Sequence, residues 1–160
     1  MSFYGLSLFS GSGIGEMHLK KSNWKVVVAN ELVKDRAQLY KEIYPESSMV
    51  IGNIREKNIK EKIYEKIKNK RIDFILASPP CQGLSLAGKH RKLLDMKDDE
   101  RNYLILEIIE FIKYTKCKFV LIENVPSLLK LELVVGKKQQ ALKEILLNSL
   151  GNVYDIFTDI

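Results

Sequence analysis

The chain has 160 residues, 46% hydrophobic and 29% charged, with a formal net charge of +6; this fits one globular domain over residues 1–160 and excludes a disordered tail, a collagen-like fibre or a low-complexity linker. No apolar run approaches the ~20 residues of a membrane helix, Met1-Ser2-Phe3-Tyr4-Gly5 lacks the basic start and apolar stretch of a signal peptide, and two cysteines cannot build a disulfide scaffold. A cytoplasmic protein without a membrane span is expected, and its basic excess points only weakly to an acidic partner such as nucleic acid.

Short apolar runs alternate with longer amphipathic stretches, the rhythm of βαβ units around a largely parallel sheet with helices on both faces. Tyr4 to Phe9 reads as a first strand, followed by glycines 11, 13 and 15 and a helix through about Lys21. Lys25 to Asn30 carries three consecutive valines, a buried-strand pattern. Lys34 to Tyr44 reads as a helix with Ala37, Tyr40, Ile43 and Tyr44 inward, stopped by Pro45, and a third strand lies near Met49 to Ile51. Ile59, Ile63 and Ile67 form one apolar stripe on a surface helix. Asp73 to Ala77 is a fourth strand. Asn102 to Lys116 is a helix with Leu104, Ile105, Ile108, Ile109 and Ile112 on its apolar face, and Lys118 to Glu123 is a fifth strand. Gln139 to Leu150 reads as a last helix closed by Gly151, and Val153 to Phe157 as the start of a sixth strand.

Phe9-Ser10-Gly11-Ser12-Gly13-Ile14-Gly15-Glu16 lies between the first strand and the helix expected after it. Glycines there allow close backbone approach to a ligand and positive φ angles. A dinucleotide fingerprint would need glycine where Glu16 stands; an acid there repels a pyrophosphate but suits the ammonium of an amino acid. Glu31 ends the second strand 20 residues after Gly11, where a carboxylate can take both hydroxyls of a ribose. A nucleoside with an amino-acid tail and no phosphate, S-adenosyl-L-methionine, meets both conditions. The same loop also reads as a tight structural turn.

Ser78-Pro79-Pro80-Cys81-Gln82-Gly83 follows the fourth strand directly, at the carboxyl edge where α/β sheets bind ligands. The prolines fix the backbone ahead of Cys81, and this setting argues against a merely buried cysteine. Cys117, at the edge of an apolar strand, is assigned to packing. Glu123-Asn124-Val125-Pro126 ends the fifth strand, so Cys81 and Glu123 are expected at one crevice.

In these segments, with Ala29-Asn30-Glu31, Gly52-Asn53-Ile54 and Asp99-Glu100-Arg101-Asn102-Tyr103-Leu104, the chain resembles the cytosine-C5 DNA methyltransferase family, in order and spacing and over its whole length. The resemblance implies a Rossmann-like S-adenosylmethionine-dependent fold and methyl transfer to carbon 5 of cytosine, within a restriction-modification system. Cys81 would add to carbon 6 of a flipped base, and Glu123 would hold N3 and the exocyclic amine. Phe9 would meet the cofactor adenine, Glu31 its ribose, and Gly11 and Gly13 its methionine part. Ser10, Ile14, Gly15, Leu32, Asn53, Ile54, Pro79 and Leu104 would complete that pocket. Pro80, Gln82, Gly83, Ser85, Asn124 and Val125 would meet substrate, and Lys89 and Arg91 would contact phosphates of double-stranded DNA in a loop that closes over it. Read without the neighbouring cysteine, Lys89-His90-Arg91-Lys92 is equally a solvated charge run.

The chain departs from the family in two respects. Asn53 stands where the family usually has Asp, so its amide carbonyl must accept from the adenine amine. The Gln-x-Arg-x-Arg motif, the target-recognition region and the final helix are expected beyond residue 160. The chain is therefore read as incomplete at its C-terminal end: one chain of a split enzyme whose partner supplies target recognition, or a truncated copy. A tRNA-methylating member and a non-catalytic module are the alternatives, an NAD-dependent oxidoreductase is disfavoured by Glu16, and no metal site is expected.

Overall fold

A computed structural model describes residues 1–81 and 99–158. The described residues form two compact units, one comprising residues 1–79 and 110–123 and the other the rest.

The first unit is built on a five-stranded parallel sheet in the order β3-β2-β1-β4-β5. The strands are β1 (Phe3–Leu8), β2 (Trp24–Glu31), β3 (Ser48–Ile51), β4 (Phe74–Ala77) and β5 (Phe119–Ile122). Helix α1 (Lys34–Ile43) joins β2 to β3, α2 (Lys57–Ile67) joins β3 to β4, and α3 (Leu104–Thr115) precedes β5. The chain builds outward from β1 to β3, then crosses back to β4 and continues the other way. Right-handed crossovers therefore put α1 on one face and α2 and α3 on the other. Consistent with this, Tyr40 and Tyr44 join a buried cluster with Val26, Ala29, Phe74 and Leu76. On the α2 and α3 side, Tyr64 donates to Glu110 at 2.6 Å and its ring lies 4.9 Å from that of Phe111.

Ile59, Ile63 and Ile67 are all buried, as their four-residue spacing requires. Ala37, Tyr40 and Tyr44 also point inward, but Ile43 is 40% exposed because it lies at the edge of the stripe. β5 is not the solid buried strand its composition suggests: Phe119 and Leu121 are 49% and 62% exposed. They pair with Phe74 and Leu76, on the α1 face of the sheet.

The expected helix after the glycines is replaced by successive turns and a single 3-10 turn at Leu19–Lys21. Glu16 explains part of this. Its carboxyl turns inward and accepts from the Ser7 hydroxyl of β1, and the local hydrogen bonds run over three residues: Glu16 N–H to Gly13, Met17 N–H to Ile14 and Leu19 N–H to Glu16.

The second unit holds a hairpin that periodicity does not reveal. β6 (Glu132–Val135) and β7 (Lys138–Ala141) pair antiparallel across Gly136-Lys137, with Gly136 at φ +66°. The last helix, α4 (Leu142–Leu150), therefore starts three residues later than its apolar pattern suggests. Gly151 keeps right-handed angles and bonds back to Leu147, continuing the helical turn instead of reversing it. Val153 to Phe157 forms no strand. A strand needs a hydrogen-bonded neighbour, and among the described residues none pairs with this stretch, whose Phe157 is 89% exposed.

Candidate active site

Five strand ends meet at the carboxyl edge of the sheet, and backbone hydrogen bonds lace the segments that leave them. Ser10 N–H bonds to Asn30, Gly52 N–H to Glu31, Ser78 N–H to Leu8 and Glu123 N–H to Ala77, at 2.9–3.2 Å. The strand order reverses between β1 and β4, the place in an open α/β sheet where a crevice opens for a ligand.

The glycine loop starts there. Phe9 adopts φ +57°, a left-handed conformation that a bulky side chain rarely takes, and so turns the chain off β1. Gly11 is also left-handed, at φ +56°, and a Cβ there would meet nothing within 4 Å. Its N–H donates to Glu31 Oε2 at 2.8 Å, while Val33 N–H donates to Glu31 Oε1 at 2.8 Å. The Glu31 carboxylate, though 6% exposed, is thus fixed by two backbone donors, one per oxygen. Each oxygen keeps a further lone pair for a hydroxyl.

Asn30, beside it, has no role of its own predicted from the sequence. Its amide donates to Val50 and Gly52 carbonyls at 2.9 and 3.1 Å and ties the end of β2 to the turn after β3. Asn53 follows, with its Oδ1 accepting from Arg55 N–H at 3.1 Å, so one lone pair of the expected acceptor closes an Asx turn. Ile54 is 2% exposed and supports the turn from within, whereas Leu32 and Ile14 are open, at 63% and 77%.

Glu16, expected to suit the ammonium of a ligand, is 2% exposed, and its carboxyl accepts from the Ser7 hydroxyl. Burial raises its pKa above the usual carboxylate value despite the Ser7 hydrogen bond.

A model of the C-5 cytosine-specific DNA methylase family matches residues 3–160. The chain belongs to this family. It is 50% identical to the Type II methyltransferase M1.HgaI of Avibacterium volantium over 98% of its length, and 35% identical to M.NgoPII of Neisseria gonorrhoeae over 78%. It spans 44% and 33% of those relatives. A solved E. coli prophage protein, assigned as a DNA modification methyltransferase, superposes with a TM-score of 0.71 at 26% identity, covering 96% of this chain and 39% of that one. Spodoptera frugiperda DNMT2 shares the fold, with a TM-score of 0.61 at 22% identity. The expected Rossmann-like methyltransferase fold is therefore the one observed.

Of the family's expected cofactor residues, the first unit carries Phe9, Ser10, Gly11, Gly13, Ile14, Gly15, Glu31, Leu32, Asn53, Ile54 and Pro79 on segments that leave β1 to β4 at the carboxyl edge. Glu123 leaves β5 at the same edge, exposed. Leu104, buried at the start of α3, belongs to the second unit, as do Pro80, half-buried Cys81, Asn124 and Val125. Asn124 accepts the N–H of Val125 at 2.9 Å, and Val125 leads into a 3-10 turn at Pro126–Lys130. Cys117 is 3% exposed, in keeping with packing. Gln82, Gly83, Ser85, Lys89 and Arg91 lie outside the described residues. Within the described residues, no helix is long and apolar enough to cross a membrane.

Proposed function

We propose that this chain is the cofactor-binding and catalytic portion of a DNA cytosine-C5 methyltransferase of a restriction-modification system, using S-adenosyl-L-methionine. The observation that carries the reading is the strand pairing at the carboxyl edge. Glu123 leaves β5 hydrogen-bonded to Ala77, the last residue of β4, and β4 runs on in four residues to Cys81. Two chemically competent side chains thus follow adjacent strand ends.

The glycine loop and Glu31 fit the cofactor. Gly11 leaves open space, Glu31 keeps lone pairs for ribose hydroxyls, and Asn53 keeps one carbonyl lone pair for the adenine amine. When bound, the cofactor supplies a methyl group on a sulfonium centre. The protein must make carbon 5 of cytosine nucleophilic. The Cys81 thiolate adds to carbon 6, forming an S–C6 bond and moving the C5–C6 electron pair towards carbon 5 and N3. Glu123 stabilises that charge by hydrogen bonding or proton transfer at N3. Carbon 5 would take the methyl group with S-adenosylhomocysteine as the leaving group, and loss of the C5 proton to water with cleavage of the S–C6 bond would restore the ring and the thiolate. The base must leave the duplex for this chemistry.

The test is transfer of labelled methyl from S-adenosylmethionine to unmethylated genomic DNA. It is run with the chain alone and with the remaining portion of the Avibacterium volantium relative added as a separate polypeptide. Label in 5-methylcytosine in either arm supports the reading, and label only in the second arm shows that a complementing polypeptide is needed. No label on DNA in either arm, or label on tRNA alone, overturns it.

A further inference from the structure

We propose that Tyr44 is a positioning residue that fixes the Gly13–Ile14 peptide of the glycine loop for the methionine end of the cofactor; this rests on the cofactor reading above. The Tyr44 hydroxyl, from the turn after α1, donates to the Gly13 carbonyl at 2.7 Å across 31 residues of sequence. Tyr44 is 5% exposed, and its ring is itself held in place. It lies 4.7 Å from the Tyr40 ring, its N–H bonds to the Tyr40 carbonyl at 2.8 Å, and its own carbonyl accepts from Ser47 at 3.0 Å.

The loop rests directly on this ring. Gly13 has φ +85°, and a Cβ there would stand 2.2 Å from Tyr44 Cε2 and 3.0 Å from Tyr40 Cδ2. In a planar trans peptide, C=O and the following N–H point in opposite directions. Holding the Gly13 carbonyl down onto Tyr44 therefore aims the Ile14 N–H the other way, towards the loop's open side, where the Ile14 side chain is 77% exposed. An outward N–H is a donor suited to the carboxylate of an amino-acid tail. Burial and the nearby Glu16 and Glu46 charges raise the phenol pKa, so the hydroxyl stays a donor at neutral pH.

Tyr44→Phe keeps the ring and removes only the hydroxyl. Tyr40→Phe is the control, since the Tyr40 hydroxyl makes no hydrogen bond to the glycine loop. Affinities for S-adenosylhomocysteine and for adenosine, which lacks the amino-acid tail, are measured on the 160-residue chain by calorimetry. The expected result is a loss of about five- to ten-fold for S-adenosylhomocysteine in Tyr44→Phe, of the order of one hydrogen bond. Adenosine affinity should stay unchanged in that variant, and both affinities unchanged in Tyr40→Phe. Equal binding by wild type and Tyr44→Phe overturns the inference, and so does an equal loss for both ligands, which marks a general packing effect. Failure of the wild type to bind S-adenosylhomocysteine, both alone and with the complementing polypeptide of the transfer test, overturns the cofactor reading, and the inference with it.

Discussion

Gly11 and Glu31, 20 residues apart, meet through a 2.8 Å hydrogen bond that joins the glycine loop of β1 to the end of β2. The bond has two consequences. It holds a left-handed loop against the sheet, and together with the Val33 N–H it orients the Glu31 carboxylate. Under the proposed cofactor reading, this one corner would serve both the ribose and the amino-acid tail.

Glu31→Ala removes the acceptor for Gly11 and Val33 together. The expected outcome is at least a ten-fold loss of S-adenosylhomocysteine affinity. Thermal denaturation should show a loss of stability of about 1–3 kcal/mol from the two stranded donors. Calorimetry and a melting curve on the same sample check both; unchanged affinity would show that Glu31 only braces the loop.

Gly11→Ala and Gly13→Ala should separate binding from folding. Both positions have positive φ, so either alanine costs about 1–2 kcal/mol in backbone strain. At Gly13 the new methyl also drives into the Tyr44 ring, adding about 1–3 kcal/mol of overpacking. At Gly11 it enters open space, so the protein should stay folded while cofactor binding falls. Denaturant titration ranks the two for stability and calorimetry ranks them for affinity. Equal stabilities would contradict the packing described beneath Gly13.

Glu16 makes stability depend on pH in a definite direction. Its carboxyl has a raised pKa in the folded state, chiefly through burial, so protonated Glu16 suits the native protein and ionised Glu16 opposes it. Its favourable contribution is full below the unfolded value near 4.5 and is lost as pH rises through the folded value. Glu16→Gln keeps a neutral group that can still accept from Ser7. The melting temperature of Glu16→Gln minus that of wild type should therefore be smallest at pH 4 and grow as pH is raised to 8. A difference independent of pH would contradict a buried acid with a raised pKa.

Cys81→Ser should abolish labelled methyl transfer to DNA under conditions where the wild type, alone or complemented, is active. S-adenosylhomocysteine affinity should change by less than two-fold, because the nucleophile is assigned to the base and not to the cofactor. Retained transfer would remove the covalent mechanism.

Much of this protein was legible in one dimension because its decisive features are local. Strand composition, the four-residue isoleucine stripe of α2, the loop glycines and the Pro79-Pro80-Cys81 and Glu123-Asn124-Val125 segments each depend on neighbours within a few residues. They were sufficient to order the five strands of the sheet along the chain and to single out Glu31, Cys81 and Glu123 as candidates. The tertiary structure decided what depends on a distant partner. Glu16 faces inward, where Ser7 of β1 offers a hydroxyl, and burial there raises its pKa. The loop forms turns in place of a helix. Val153 to Phe157 stays irregular for want of a strand to pair with among the described residues, while Lys138–Ala141 becomes a strand because Glu132–Val135 folds back on it. Tyr44 reads from its spacing as one more core aromatic, yet its hydroxyl lies under Gly13. Periodicity reports which face of an element is apolar, but a hydrogen bond across 31 residues exists only once the sheet has brought its two ends together.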